Sequence, residues 1–188
     1  MWYATDAISH CHQRGIYHRD IKLENFVLRG QGLESGMLLI DFGLARYSDD
    51  PCQELMFDEV GTKAYHAPEI GTSAGHYLDS ADVWALGVVL FALVHGMMPM
   101  NTKTERNCER YAWFKQQQAV GFAVCDSIYT FPKRAKGEFE VHDATIVSLL
   151  NGMLRHSYRT RVDVFTCCSI IAERRDSPVT TRPCVKDG

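Results

Sequence analysis

A nearly continuous apolar stretch, residues 80–95, constrains the fold more than any other part of the chain. A helix that is apolar on nearly every side is stable in water only when other elements surround it. We therefore expect this helix to run through the middle of the domain, with Asp79 and Ser80 as candidate N-terminal caps. The wider apolar stretch 83–100 is interrupted by histidine, glycine and proline, which favours a buried helix over a membrane span.

The remaining patterns predict a mainly helical chain with one small hairpin. Helical patterns cover four other segments: about 3–15, 104–118, 143–154 and 162–175. Asp143 is a candidate cap for the third of these. The short apolar runs 26–28 and 37–40 flank a glycine-rich segment, which predicts a hairpin or two short strands. Residues 44–66 carry five acids without periodicity, which predicts a long, mobile loop.

Composition narrows the class of protein. At 188 residues and 46% hydrophobic, the chain is long enough for one domain with a sizeable core. A net charge of -3 gives no electrostatic reason to expect nucleic acid as a partner. The seven cysteines show no CxxC spacing, so neither a zinc site nor a disulfide framework is suggested. Reduced cysteines and an N-terminus without a signal-peptide pattern predict a cytoplasmic or nuclear protein.

Two short polar motifs carry the chemistry. Residues 18–25 read HRDIKLEN and residues 41–43 read DFG. Asp20 and Lys22 are spaced to flank a reacting hydroxyl group, whereas Asn25 and Asp41 offer the oxygen ligands that a hard cation prefers. The apolar run before Asp41 places this carboxylate at the end of a strand, beside the loop that holds Asp20. A single aspartate would be an ordinary loop or capping residue, but the combination indicates phosphoryl transfer.

Several motifs in a fixed order resemble the C-terminal lobe of eukaryotic protein kinases. Besides the two motifs above, the resemblance rests on Gly61-Thr62, Ala67-Pro68-Glu69, residues 82–87 (DVWALG) and Arg161. It runs from His18 to about Phe165, and it implies a mainly α fold with a small β-hairpin. Lys22 is typical of serine/threonine kinases, and residues 21–25 and 39–41 are similar to the calmodulin-dependent-kinase-like group.

The resemblance implies a role for each residue of the two motifs. Asp20 would orient the substrate hydroxyl and accept its proton, and Lys22 would offer positive charge to the transferring phosphate. Asn25 and Asp41 would hold Mg²⁺. The implied substrates are ATP and a protein with a serine or threonine acceptor. The implied contacts to the nucleotide come from Lys22, Glu24, Asn25, Val27 and Asp41.

Other matching residues would hold these groups in place. His18 and Phe42 would stack the loop of residues 18–25 on the metal-binding loop, which also contains Gly43. Asp82 would accept hydrogen bonds from the backbone of the first of these loops.

A buried ion pair and a threonine complete the implied scaffold. Glu69 would pair with Arg161 across the core, and breaking such a pair typically costs about 3–5 kcal/mol. Thr62 would hydrogen-bond near Asp20 and Lys22 and shape the platform for the residue after the phosphoacceptor. An ordinary turn threonine is the alternative interpretation of Thr62.

Arg19 raises the question of activation. In the family this arginine often needs an anionic partner, commonly a phosphorylated residue, on the loop that follows DFG. Between residues 44 and 61 the hydroxyl candidates are Tyr47 and Ser48, and the five acids there could substitute for a phosphate. We expect activation that is either constitutive or dependent on Ser48.

The resemblance also implies how much of a kinase domain is present. Residues 1–175 correspond to the C-terminal lobe, and residues 176–188 are expected to be a disordered tail. We find no glycine-rich loop, no strand lysine for the phosphates and no helix glutamate to pair with that lysine. The first hypothesis is therefore a serine/threonine kinase whose chain is truncated here. The alternative is a non-catalytic C-lobe that acts as a protein-binding or decoy module.

Overall fold

The computed structural model describes residues 1–100, 109–121, 123 and 143–173. In this part the chain is mostly helical, and its strands are only two or three residues long. The helices are α1 (Trp2–His12), α2 (Leu78–His95), α3 (Glu109–Ala119), α4 (Ala144–Met153) and α5 (Val164–Glu173). The strands are β1 (Ile16–Tyr17), β2 (Phe26–Leu28), β3 (Met37–Leu39) and β4 (Arg46–Tyr47). The predicted mainly α class with a small hairpin is confirmed.

Helix α2 forms the centre of this part of the chain, as its apolar sequence predicts. Every residue from 78 to 92 is buried except Ala81. Among the helices that the structure describes, α2 is long and apolar enough to cross a membrane, but 72% of that apolar window is buried inside the protein. Such burial is that of a core helix, in agreement with the sequence prediction.

The N-terminal end of α2 differs from the prediction. The helix begins at Leu78, Tyr77 occupies the N-cap position, and no side chain caps it. Asp79 and Ser80 lie inside the first turn, so the predicted caps are wrong. At the other end Gly96 has a φ of +67°, a left-handed conformation that glycine adopts without strain.

Close approaches at two glycines fix how the helices pack. Helix α2 packs on α4, and α5 packs on both α1 and α4. A Cβ atom at Gly87 would lie 2.8 Å from Cβ of Met153 and 2.9 Å from Cδ2 of Leu154. A Cβ atom at Gly152 would lie 2.9 Å from the methyl groups of Val162. The missing side chains therefore let these helices approach the neighbouring backbone closely.

The strands form two separate antiparallel pairs. Strands β2 and β3 make the predicted hairpin, with Val27 opposite Leu38. Strands β1 and β4 pair with Tyr17 opposite Arg46, and the sequence did not predict this pair. Each of its strands has two residues, which is too short for a period of two to be visible.

Residues 44–66 hold more regular structure than the irregular loop that was predicted. Strand β4 lies near the start of this segment. Met56 and His76 then exchange two backbone hydrogen bonds of 2.9 and 2.8 Å. Near its end, Lys63–Tyr65 forms a short 3₁₀ helix. The segment is therefore fastened at three points, two of them by contacts that are distant in sequence.

Two helix boundaries follow the sequence signals closely. Helix α1 ends at His12, three residues before Gly15, whose φ is +69°. Asp143 caps α4, because its Oδ1 accepts hydrogen bonds from the backbone N–H groups of Thr145 and Ile146 at 3.0 and 3.2 Å. The first part of the predicted helix 104–118 and the tail 176–188 lie outside the described residues.

Among the cysteines in the described part of the chain, Cys52 departs from the prediction. Cys52 is disulfide-bonded, whereas the sequence predicted reduced cysteines. Disulfide pairing depends on the approach of two residues in the fold, which spacing along the chain does not reveal. Cys11, Cys167 and Cys168 are free thiols.

Candidate active site

The carboxylate of Asp82 holds the loop of residues 18–25 from its buried side. Asp82 lies on α2 and is only 1% exposed. Its two oxygens accept hydrogen bonds from the backbone N–H groups of His18 and Arg19, each at 2.8 Å. The ring Nε2 of His12 lies 3.0 Å from Oδ2 of the same carboxylate. These contacts compensate the buried charge and fix the start of the loop.

Two non-glycine residues of the site adopt left-handed backbone conformations. Arg19 has a φ of +69° and Asp41 a φ of +64°. Such conformations cost on the order of 1–3 kcal/mol each and persist where the surrounding structure imposes them. The bond from the Arg19 backbone to Asp82 is one such constraint. Both predicted motifs therefore contain a residue whose backbone the fold holds in an uncommon conformation.

The carboxylate of Asp20 is the centre of a hydrogen-bonded cluster. Its Oδ1 accepts bonds from the backbone N–H of Thr62 at 2.8 Å and from the Thr62 hydroxyl at 2.7 Å. The ammonium group of Lys22 donates to Asp20 Oδ2 at 2.5 Å and to Thr62 Oγ1 at 3.2 Å. The structure thus brings together three residues that the resemblance implied, although Thr62 is more than forty positions from Asp20.

These contacts set the charges of the cluster. Burial alone would raise the pKa of Asp20, but the hydrogen bonds from Lys22 and Thr62 outweigh it and hold the pKa below its usual range. The bond to Asp20 in turn raises the pKa of Lys22. At neutral pH the pair is therefore a carboxylate beside an ammonium group. The carboxylate can accept a proton from a hydroxyl group, and the ammonium can neutralise a phosphate.

A backbone hydrogen bond links Asn25 to the residue before Asp41. The buried Asn25 donates from Nδ2 to the backbone carbonyl of Asp20 at 2.8 Å. The backbone N–H of Ile40 donates to the carbonyl of Asn25 at 2.9 Å, so Asp41 directly follows the residue bonded to Asn25. Since the amide nitrogen of Asn25 is already used, its side-chain oxygen is the end left for a cation.

This donor set fits Mg²⁺. The ion is commonly held by one or two protein oxygens while it keeps several waters. In the described ranges, no three or more His, Cys, Asp or Glu side chains come together in a way that could hold a metal. A Mg²⁺ site made by one amide oxygen and one carboxylate needs no such group.

The DFG motif packs on the loop through aromatic rings. The rings of His18 and Phe42 meet edge to face, with 4.9 Å between centroids and 65° between planes. A ring nitrogen of His18, Nε2, lies 2.9 Å from the carbonyl of Ile40. Gly43 donates its N–H to Asp41 Oδ1 at 3.4 Å. His18 therefore links the two motifs, as the resemblance implied.

Arg19 has an anionic partner in the segment that follows DFG. Its guanidinium group forms an ion pair with Asp58, one of the five acids of residues 44–66. Ser48 is buried, and its backbone N–H donates to the carbonyl of Gly15 at 2.8 Å. Tyr47, the other hydroxyl candidate, is 63% exposed. The structure therefore offers Arg19 a carboxylate without any phosphorylation.

The buried pair of Glu69 and Arg161 is present and has two parallel bonds. Nη1 and Nη2 of Arg161 donate to the two carboxylate oxygens of Glu69 at 2.6 and 3.0 Å. Nη1 also donates to the carbonyl of Ser80 at 2.8 Å. The guanidinium carbon lies 5.0 Å from the ring centroid of Trp84 on α2. This pair ties residue 69, seven positions after Thr62, to the core.

The residues that were predicted to contact the nucleotide differ in exposure, and Asn25 is buried. Glu24 is exposed, and Val27 is 42% exposed. We call the following set the exposed apolar row, because each member lies on or just after the hairpin and is 40–44% exposed: Val27, Leu28, Leu38, Ile40, Phe42 and Leu44. The row places apolar side chains beside Asp41, where an adenine or another protein surface could cover them.

Two functional contacts were missed at the sequence level. His12 lies 70 positions from Asp82, and nothing in the helical pattern of α1 separates it from an ordinary buried histidine. Asp58 was one acid among five, and its spacing does not distinguish it from the others. Buried histidines 66 and 76 also line a small cavity with Arg19 and Asp20.

Comparison with known proteins identifies the family to which the sequence is similar. The family model described as "Protein kinase domain" matches residues 1–173. In curated relatives the match is shorter and lies in serine/threonine kinases. CBL-interacting serine/threonine-protein kinase 13 of Arabidopsis thaliana is 42% identical over 98 residues, which are 52% of this chain and 19% of that protein.

Two further relatives are also kinases that match only part of the chain. CBL-interacting serine/threonine-protein kinase 9 of Arabidopsis thaliana is 36% identical over 123 residues, 59% of this chain and 26% of that protein. A calcium/calmodulin-dependent protein kinase of Emericella nidulans is 38% identical over 98 residues, 52% of this chain and 23% of that protein. The chain thus spans about a quarter or less of the curated relatives that it matches.

Proposed function

The chain belongs to the protein kinase domain family, and we propose that it supplies the catalytic loop for transfer of the ATP γ-phosphoryl group to a serine or threonine hydroxyl of a protein. The similarity to serine/threonine kinases supports this acceptor class. The observation that carries the proposal is the cluster in which Asp20 is bonded to both Lys22 and Thr62.

Asp20 would be the catalytic base. Thr62 saturates one oxygen of the carboxylate, and the other oxygen binds Lys22 and keeps a lone pair for the substrate hydroxyl. The carboxylate is ionised at neutral pH, and the bonds that lower its pKa also hold it in place, so it would orient the hydroxyl and then take its proton. Lys22 would place its charge on a phosphate oxygen. A positioned acid–base group of this kind contributes roughly 10²–10⁴-fold to a rate.

The cation and nucleotide would occupy the open side of the same loop. Bound ATP supplies the phosphoryl group, and bound Mg²⁺ neutralises its charge. Asn25 and Asp41 would hold the cation, and Lys22, Glu24 and Val27 would contact the nucleotide. The free amide oxygen of Asn25 and the exposed carboxylate of Asp41 support these roles.

We further propose that residues 1–175 act as the C-terminal lobe of a larger kinase domain. The exposed apolar row would then pack against the other lobe, whose residues would hold the phosphates of the nucleotide. The exposure of the row supports this arrangement. The same row would equally serve the alternative function, a non-catalytic module that binds other proteins.

Activation would not require phosphorylation of Ser48. The ion pair between Arg19 and Asp58 already supplies the anion that the arginine needs, which supports the constitutive version of the hypothesis. Modification of the buried Ser48 would first require the segment around it to open. Phosphosite mapping on the active protein tests this point, and phosphate on Ser48 in every active molecule would contradict it.

A regulatory protein partner is part of the proposal. The names of two relatives describe them as CBL-interacting, and that of a third describes it as calcium/calmodulin-dependent. Each name concerns a protein much longer than this chain, so the region that binds such a partner need not lie within these residues.

The test is phosphoryl transfer from labelled ATP with Mg²⁺, in the longest natural form of the protein that contains these 188 residues. We expect label on serine and threonine of a basic protein substrate, and background transfer only in Asp20→Asn. Asp50→Asn is the matched control, because this exposed acid makes none of the hydrogen bonds of the cluster. Equal transfer by the active form and by Asp20→Asn would favour the non-catalytic alternative.

A further inference from the structure

His76 is fastened to the segment that follows the DFG motif. Its backbone N–H donates to the carbonyl of Met56 at 2.8 Å, and the N–H of Met56 donates to the carbonyl of His76 at 2.9 Å. Two positions after Met56, the carboxylate of Asp58 pairs with the guanidinium group of Arg19. The backbone at His76 therefore holds the part of the segment that presents Asp58 to the loop of residues 18–25.

The imidazole of His76 shares a small cavity with Arg19. His76 is only 3% exposed, and its Nδ1 has no hydrogen-bond partner in the described part of the chain. The same holds for the buried Nε of Arg19. The cavity has a volume of about 20 Å³, enough for one water molecule, and Asp20 and Thr62 line it as well. A buried titratable group therefore lies next to the contact between Asp20 and Thr62.

The carboxylates that face the imidazole of His76 are already engaged. They are Asp58 and Glu69, and each already pairs with an arginine. The other groups that act on this imidazole are the guanidinium group of Arg19 and the imidazole of His66. A positive charge on His76 would therefore arise beside a cation, and it would have to compete with guanidinium groups for its anions.

The neutral imidazole suits this position, and the protonated one does not. Burial lowers the pKa of His76, Arg19 and His66 add to this effect, and the two carboxylates oppose it. A neutral imidazole can accept a hydrogen bond at one ring nitrogen, whereas an imidazolium can only donate. Next to the buried Nε–H of Arg19, a second donor would lack an acceptor. A form in which the segment opens to water removes this conflict, so protonation favours opening.

We propose that His76 is a positioning residue whose neutral imidazole keeps residues 56–62 docked on the loop of Asp20, and that its protonation weakens this docking. The inference rests on the proposed function, because it gives the docked segment a role in transfer at Asp20. His76 itself would touch neither substrate nor nucleotide. Its effect would reach the reacting groups through the segment alone.

Opening of the segment would change the surroundings of Asp20. It would break the ion pair of Arg19 with Asp58 and the two bonds from Thr62 to Asp20. The carboxylate would then lose contacts that hold it in place, and transfer would slow in mild acid. Titration of Asp20 in the docked form does not produce this effect, because its hydrogen bonds outweigh burial and hold its pKa below the usual range.

The test follows the opening of the segment by hydrogen–deuterium exchange in the longest natural form of the protein. Protection factors of residues 55–66 are measured between about pH 7.5 and pH 5.5, on either side of the ordinary histidine pKa near 6.5. The variants His76→Gln and His76→Asn carry neutral amides of different size, which separates loss of the titration from a packing defect. His10→Gln makes the same change at an exposed histidine of α1 and is the control. His66→Gln tests the second imidazole of the cavity.

In the wild type we expect the protection of residues 55–66 to fall by about 3- to 10-fold from about pH 6.5 to pH 5.5. One proton linked to the opening changes its equilibrium constant by at most about tenfold per pH unit. Both His76 variants lose most of this dependence on pH, whereas His10→Gln and His66→Gln keep it.

Three results overturn the inference: protection that does not change with pH in the wild type, the same dependence on pH in both His76 variants, or a dependence that only His66→Gln removes. Rates of phosphoryl transfer over the same pH range separate this inference from the proposed function. Transfer by a protein whose protection does not depend on His76 overturns the role of His76 alone. Protection that depends on His76 in a protein without any transfer overturns the proposed function alone.

Discussion

At the scale of single residues, the site depends on charges that are buried together with their partners. Arg161 illustrates this, because its guanidinium group bonds Glu69 twice and also reaches a backbone carbonyl on α2. Removing one member of such a pair leaves a buried charge without compensation, and the cost exceeds the net contribution of the intact pair.

Replacing Arg161 with methionine should therefore destabilise the protein by about 3–5 kcal/mol, measured as the free energy of unfolding in urea. The double variant Glu69→Leu/Arg161→Met is the control, because it removes both charges at once. We expect the double variant to lose less stability than Arg161→Met. A larger loss in the double variant would show that packing, and not the unpaired charge, dominates.

His76 gives the protein a specific dependence on pH. Burial lowers its pKa in the folded state, with Asp58 and Glu69 opposing the shift, whereas the unfolded chain has the ordinary value near 6.5. As the pH falls below about 6.5, the unfolded chain therefore binds the proton first and the folded state loses stability. The slope for one such group approaches about 1.4 kcal/mol per pH unit.

The free energy of unfolding is measured between pH 7.5 and pH 5.5 in the wild type and in His76→Gln. This pH range stays above the ordinary pKa values of carboxyl groups, ~3.9–4.3. We expect a smaller loss of stability in His76→Gln, because glutamine does not titrate. Identical slopes in the two proteins would mean that His76 is protonated equally in both states.

The sequence predicted the positions of residues that belong to a recognised motif. It did not predict contacts between residues that are distant in sequence and belong to no motif. Asp20, Lys22 and Thr62 were all assigned to one site before their contacts were known. His12 and Asp58 were not, since each meets its partner only through the fold. Asp79 and Ser80 were assigned to a helix cap because their types suit one, but the helix begins before both of them.

At the scale of elements, close contact between α2 and α4 determines how the core packs. Gly87 is a helix residue without strain, and a glycine there is unfavourable by about 1 kcal/mol relative to alanine on propensity alone. A methyl group at this position would nevertheless lie 2.8 Å from Cβ of Met153. Packing and propensity therefore predict opposite signs for the same substitution.

We expect Gly87→Ala to lower the free energy of unfolding by about 1–3 kcal/mol, because overpacking of a tight core outweighs the gain in helix propensity. Urea denaturation measures this change directly. A gain of stability in Gly87→Ala would show that α2 and α4 are less tightly packed than the structure indicates.

Long helices and strands were predicted from the sequence, whereas the shortest ones were missed. Helix α2 was placed correctly because its residues 83–94 are apolar without interruption. Strands β1 and β4 were not found, since two residues each carry no period and their pairing joins segments about thirty positions apart. The same reason explains why the bridge between Met56 and His76 was missed.

At the scale of the whole molecule, the buried helix α2 and its carboxylate Asp82 connect the hydrophobic core to the candidate active site. Helix α2 carries Asp82, which fixes the loop of Asp20, and Arg161 links Glu69 to the same helix through the carbonyl of Ser80. On the other side the exposed apolar row remains uncovered in the described part of the chain. Helix α2 therefore anchors the cluster of Asp20, and we propose that the exposed apolar row meets a second lobe.

The most direct test measures kcat and the affinity for ATP together, for the wild type and Asp20→Asn, in the longest natural form of the protein. We propose that Asp20 binds the acceptor hydroxyl and not the nucleotide. We therefore expect kcat to fall by about 10²–10⁴-fold with the ATP dissociation constant nearly unchanged. An unchanged kcat, or a loss of ATP binding that matches the loss of rate, would show that Asp20 does not act on the acceptor.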